Sequence, residues 1–123
     1  MVNAQQKFGQ ASERLAESYL KRKGYKILER NFRTRQGEID LIARHAESIV
    51  FIEVKARRSG RYGVPQRAVT PAKQRKLSMA ALAYLKAHYS IDTKARFDVV
   101  TIQEFHNQPH IEVIANAFEL AYP

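Results

Sequence analysis

Residues 38–44, EIDLIAR, and 49–57, IVFIEVKAR, are two runs of strand-forming residues separated by four mostly polar positions, HAES. A break that short leaves no room for a crossover, so the two runs are expected to pair as an antiparallel hairpin. Closing the hairpin over residues 45–48 sets residue 40 opposite residue 53. Alternate strand residues share a face, so Glu53 and Lys55 point with Ile49 and Phe51, while Val50, Ile52 and Val54 point the other way. Glu38, Asp40 and Ile42 likewise share one side of the first strand. Asp40 and Glu53 become cross-strand neighbours. Like charges so placed destabilise a sheet, and a charge in an apolar setting is costly to desolvate, so the pair calls for a cation.

The rest of the chain supplies the frame for that hairpin. Ala4 to Lys23 reads as a helix with Phe8, Leu15, Ala16, Tyr19 and Leu20 at helical spacing, and Gly24 after the basic KRK stops it. YKILERNF, residues 25–32, is a first strand, with RTRQG as the turn into the hairpin. RSGRYGVPQ, residues 58–66, is a loop by its two glycines and proline. Thr70 followed by Pro71 opens a second helix, whose stripe of Leu77, Ala80, Ala81, Tyr84 and Leu85 runs to about His88. RFDVVTIQEF and IEVIANAF close the chain as two strands around HNQP. The order is α-β-β-β-α-β-β, an α/β fold with a mixed sheet flanked by helices. A chain of 123 residues fits a single domain.

Charge narrows the partners. The chain carries 21 Lys and Arg against 12 Asp and Glu, a net +9. The excess is uneven: residues 1–76 hold 18 basic and 7 acidic side chains, residues 77–123 hold 3 and 5. No acidic residue occurs from Val54 to Ile91, a stretch that contains Lys55, Arg57, Arg58, Arg61, Arg67, Lys73, Arg75 and Lys76. Such a field suits a polyanion, because each phosphate neutralised releases counterions. A solvated basic surface that only aids solubility is the alternative. The absence of cysteine rules out disulfides and Cys-ligated zinc, and no apolar run approaches a membrane span. The opening MVNAQQKFGQ lacks the apolar core of a secretory signal, so a cytoplasmic location is expected.

Oxygen ligands without cysteine or paired histidine point to Mg²⁺ or Mn²⁺ rather than zinc. An ion held by Asp40 and Glu53 would polarise a phosphodiester and lower the pKa of a bound water, and Lys55 would orient that water or balance developing charge. A plain ion pair of Lys55 with Glu53 or Asp40 is the competing reading. The tripeptide [DE]-x-K arises by chance roughly once per hundred residues at ordinary composition. Asp92-Thr93-Lys94 is such a match, in the polar connection SIDTKAR, and reads as a solvated loop. The strand setting and the upstream Asp40 distinguish Glu53-Val54-Lys55.

GEIDLIA, VFIEVKAR, the proline and AV of VPQRAV, the lysine of PAKQRKL and RFDVV together resemble the bacterial YraN family, UPF0102, over nearly the whole chain. That family is similar to the PD-(D/E)xK nuclease superfamily, closest in layout to Holliday junction resolvases. The resemblance implies a restriction-endonuclease-like core in which Asp40, Glu53 and Lys55 are the signature residues. It also implies that Glu13 is the helical glutamate completing a metal set of Asp40, Glu53 and Glu13. Ile39 stands where the superfamily's namesake has proline, and Ser12 where the YraN pattern usually has glycine.

On the nucleic-acid side, Lys73, one turn into the second helix, is expected to contact a phosphate, and Arg57, Arg58 and Arg61 to track the backbone. Tyr62 is placed to stack on an unpaired base or simply to pack. Arg96 and Asp98 read as a structural ion pair, Glu38 as a strand residue outside the metal set, and His45, His88, His106 and His110 as turn or helix-end residues without ligand spacing. The reading is a Mg²⁺- or Mn²⁺-dependent endonuclease acting on DNA, branched DNA included. A non-catalytic nucleic-acid-binding or repair-scaffold module is its rival, and an RNA-directed nuclease is not separable from sequence. Symmetric cutting of two strands would want a homodimer.

Overall fold

The structure, a computed structural model, describes residues 3–57, 69–105 and 108–119. Its elements run α1 (Ala4–Arg22), β1 (Lys26–Arg33), β2 (Glu38–His45), β3 (Ser48–Arg57), α2 (Pro71–His88), β4 (Ala95–Phe105) and β5 (Gln108–Phe118). This is the order expected, and it has the restriction-endonuclease-like layout that the resemblance implied. The strands form one sheet in the order β1-β2-β3-β4-β5. All neighbours are antiparallel except β3 and β4, which run parallel and are separated in the chain by α2.

Local chemistry sets the ends of these elements. Asn3 caps α1 through its side chain, which accepts from the Gln6 amide, while the Gln6 side chain accepts from the Asn3 amide. Gly24, at φ 92°, takes the left-handed conformation that turns the chain out of the helix. The amide of Tyr25 then donates to the Leu20 carbonyl, so β1 begins immediately. β2 and β3 pair down to His45 opposite Ser48, which reduces the turn to Ala46 and Glu47, with Ala46 at φ 54°. Thr70 caps α2 by accepting from the Lys73 amide, and Pro71 occupies the first helical position.

Both faces of the sheet are covered, which is why β3 and β4 are apolar on both sides. On one face Ile42, Ile49, Phe51, Phe97 and Val99 pack against Leu77, Ala80, Ala81, Tyr84 and Leu85 of α2. On the other, Leu41, Val50, Ile52, Val100 and Ile102 pack against Ala16 and Leu20 of α1. The face of α1 differs from the one its apolar spacing suggests. Ser12, Ala16 and Leu20, four residues apart, are buried, whereas Leu15 is 40% exposed. Two small residues in that row let the helix lie close to the strands. Among the described residues no helix is long and apolar enough to cross a membrane.

A buried polar knot anchors the end of the sheet near the hairpin turn. Asp98 is fully buried and accepts from the Tyr25 hydroxyl at 2.7 Å, from Arg96 Nε at 3.0 Å and Nη2 at 3.1 Å, and from the Asn116 amide at 2.9 Å. Arg96 Nη2 also donates to His45 Nδ1, and His45 stacks on Tyr25 with ring centroids 4.0 Å apart. The expected Arg96–Asp98 ion pair is present, and His45 belongs to its shell rather than to the turn alone. Burial and the bond to Asp98 push the Tyr25 hydroxyl up to about 12. His88 lies against the Tyr84 ring at the end of α2. Asp92 and Lys94 are exposed in the connection before β4, as expected of a chance match.

Leu15 and Leu20 look equivalent by spacing but not by burial. Leu20→Ala is expected to cost about 2–5 kcal/mol and Leu15→Ala within about 0.5–1 kcal/mol, compared by urea unfolding.

Candidate functional site

The β2–β3 ladder keeps the register expected of it but stops at Leu41 opposite Ile52, one position short of Asp40 and Glu53. In place of a further ladder bond, Asp40 Oδ2 accepts from the Val54 amide at 2.8 Å. On the other side of β2 the pairs with β1 pass from Arg30–Leu41 to Phe32–Ile39, and Asn31 between them has φ 53°. The alternation of β2 breaks at the same place: Ile39 joins Ile42 in the cluster under α2, which strict alternation would forbid. Asp40 instead lines a cleft of about 230 Å³ with Gln10, Glu13, Arg14 and Glu17 of α1 and Arg30 and Asn31 of β1. The simple picture of two carboxylates abreast on one flat face gives way to Asp40 reaching the α1 side from a distorted strand.

Glu53 remains in regular β3, paired with Val99 of β4, and is only 6% exposed. Its Oε1 accepts from Lys73 Nζ of α2 at 2.8 Å and lies 3.7 Å from Lys55 Nζ. Its Oε2 is buried with no hydrogen-bond partner among the described residues. An unpaired carboxylate oxygen inside a protein is costly, so it calls for a partner. Burial drives the Asp40 carboxyl up to about 7, helped by the charges of Glu53 and Glu13 and opposed by the Val54 amide and Lys73. Burial also raises Glu13, with Glu38 and Glu53 adding to it. Burial lowers Lys55, and the neighbouring Lys73 ammonium lowers it further against the pull of Glu53. Burial alone would lower Lys73 too, but its bond to Glu53 and the charge there outweigh it and hold Lys73 above its ordinary value.

Asp40, Glu53, Glu13, Lys55 and Lys73 therefore form one electrostatically linked group, drawn from α1, β2, β3 and α2. Among the described residues no three His, Cys, Asp or Glu side chains form a group that could by itself hold a metal ion. The donor set present is two carboxylates with one orphaned oxygen. That fits a hard ion such as Mg²⁺, which is often held by one or two carboxylates and completes its shell with waters and substrate phosphate. Glu13 lines the Asp40 cleft and acts on the pair by charge.

Lys73, expected on a phosphate, is found bonded to Glu53. Its place in the first turn of a helix packed on β3's face was the available signal for that bond. Arg14, which lines the cleft beside Glu13, gave no signal beyond that adjacency. Glu38 pairs with Arg33 at 3.3 Å. Arg58, Arg61, Tyr62 and His106 lie outside the described residues, as does the side chain of Arg57.

The sequence profile of the Uncharacterised protein family UPF0102 matches residues 12–102. The five residues of the site fall within that span. A UPF0102 protein of Geobacter metallireducens is 57% identical over 114 residues, covering 93% of each chain. One of Geobacter sulfurreducens is 54% identical over 115 residues, covering 93% of this chain and 90% of its own. One of Desulforapulum autotrophicum is 44% identical over 119 residues, covering 97% and 98%.

Because the folded pKa of Asp40 is raised, its carboxyl contributes most to stability below its ordinary value of 3.8, and that contribution is lost as pH rises through about 7. In EDTA at pH 8, Asp40→Asn is therefore expected to be more stable than the wild type by roughly 1–3 kcal/mol, with the gain vanishing near pH 4. Urea unfolding across that range measures it.

Proposed function

The chain belongs to the uncharacterised protein family UPF0102, and from that premise we propose that it is a divalent-metal-dependent nuclease hydrolysing phosphodiester bonds in DNA, branched DNA included. One observation carries the reading: Oε2 of Glu53, buried and without a partner among the described residues, two residues before Lys55 and close enough to the half-buried carboxylate of Asp40 to act on it by charge. A purely structural acid would have both oxygens satisfied. The restriction-endonuclease-like architecture supports the same reading at the level of fold alone.

In this scheme Asp40 and Glu53 hold Mg²⁺ or Mn²⁺, with Glu13 adding negative charge behind Asp40. The ion, when bound, supplies Lewis-acid polarisation of the phosphate and a more acidic water. Asp40 is fixed by the Val54 amide, so it reaches the ion with little loss of side-chain freedom. Lys55, 3.7 Å from Glu53 Oε1 and with its side chain 27% exposed, is placed to face the attacking water or the phosphate oxygens as charge builds on them. Water attacks phosphorus, the bond to the leaving sugar oxygen breaks, and a proton passes to that oxygen. Arg57, Arg58 and Arg61 are assigned to contacts with backbone phosphates by charge alone, and a homodimer would supply two sites for cutting both strands.

The test is cleavage of linear, flapped and four-way DNA, with an RNA arm, in Mg²⁺ or Mn²⁺. Glu53→Gln and Lys55→Ala are each expected to lose at least about 100-fold in rate. Equal activity in all three proteins would mean a contaminating nuclease and overturn the assignment. Salt-dependent binding without cleavage in any of them would assign the chain instead as a nucleic-acid-binding module.

A further inference from the structure

The two lysines at Glu53 are not equivalent. Lys55 is on the same strand, two residues away, and its Nζ stands 3.7 Å from Oε1, outside hydrogen-bond range. Lys73 comes from α2 and donates to the same oxygen at 2.8 Å, the length of a charge-assisted bond. Both ammonium groups lie on Oε1, and neither satisfies Oε2.

Lys73 is itself held in place. Its amide donates to Thr70 Oγ1 at 3.2 Å, the Gln74 amide donates to the Thr70 carbonyl at 2.8 Å, and Gln74 Nε2 donates to the Val69 carbonyl at 3.0 Å. Val69 is buried in the cluster that contains Phe51 and Leu77. The start of α2 is thus tied to the core, and a continuous chain of bonds runs from the Thr70 cap through Lys73 to Glu53.

We propose that Lys73 is a positioning residue for the metal site: by pinning Oε1 it fixes the orientation of the Glu53 carboxylate and leaves Oε2 as the oxygen offered to a divalent ion. This rests on the metal-site reading above and assigns Lys73 a role different from a phosphate contact. It also gives the two lysines separate work. With Glu53 neutralised from α2, Lys55 need not collapse onto it and stays available to substrate. A carboxylate without the pin would sample rotamers, and part of the ion's binding energy would go into ordering it.

Mn²⁺ affinity, measured by isothermal titration calorimetry without any substrate, separates this from a general effect of charge. Lys73→Met is expected to weaken Mn²⁺ binding about tenfold, whereas Lys73→Gln and Lys73→Arg, which keep a donor for Oε1, stay within about threefold of the wild type. Lys55→Met, lacking the close bond, is expected to weaken it less than Lys73→Met does. Should Lys73→Met not fold by circular dichroism, Thr70→Val keeps the lysine but removes the hydroxyl that holds its amide, and a two- to threefold loss is expected, on the order of a weakened outer-shell contact. Wild-type affinity in Lys73→Met, or tighter binding, overturns the positioning role while leaving the metal site intact. A wild-type protein that binds no Mn²⁺ removes the metal site and the positioning role together.

Discussion

A carboxylate buried in the middle of the sheet is the constraint around which this molecule is arranged. Glu53 sits in β3 with strands on both sides and α2 over its face, where water cannot compensate its charge. Compensation comes from Lys73, at the first turn of the helix that crosses from β3 to β4. α2 therefore does two things at once: Leu77 to Leu85 cover the sheet, and its capped beginning carries a positive charge to a fixed point above it. The β2–β3 ladder ends at the same level, and Asp40 uses the Val54 amide that further pairing would have occupied. The site lies where the β2–β3 ladder ends and the first turn of α2 reaches the sheet.

A second buried acid shows what a structural solution looks like. Asp98 pairs in register with Ile52, one position from Glu53, yet faces the opposite side of the sheet. It has no exposure and both its oxygens are used: Arg96, Tyr25 and the Asn116 amide between them account for the charge and the lone pairs. The strand distorts to allow it, with the β4–β5 register shifting between Phe97 and Val99 and Asn116 adopting φ 53°. Glu53 has no such closure. Two acids on adjacent strands, similarly buried, differ in that one is fully partnered and the other keeps, among the described residues, an oxygen without a partner.

Much of this was legible before any coordinates. The four-residue break between EIDLIAR and IVFIEVKAR dictated the hairpin and its register, because side-chain period and turn length leave little choice. The same logic set aside Asp92-Thr93-Lys94, since no strand surrounds it. Reading α1 by apolar spacing was less successful. Leu15 was drawn into the buried stripe and Ser12 left out, because spacing does not say how close a helix must come to a sheet, and closeness favours small residues over large ones. The period-two reading of β2 failed at Asp40 for a comparable reason: a left-handed Asn31 on the neighbouring strand bends the local geometry, and no pattern within β2 records what β1 does.

By itself the sequence determined the order of elements, the hairpin register, the mixed sheet and the identity of the charged residues that would have to be explained, since these follow from periodicities and turn chemistry within short stretches. Which oxygen of Glu53 is occupied, which lysine occupies it, and toward which helix Asp40 turns were decided only in the tertiary structure. Those outcomes depend on distances between elements brought together by packing, and a residue twenty positions away, as Lys73 is from Glu53, becomes a neighbour only when the crossover helix settles on the sheet.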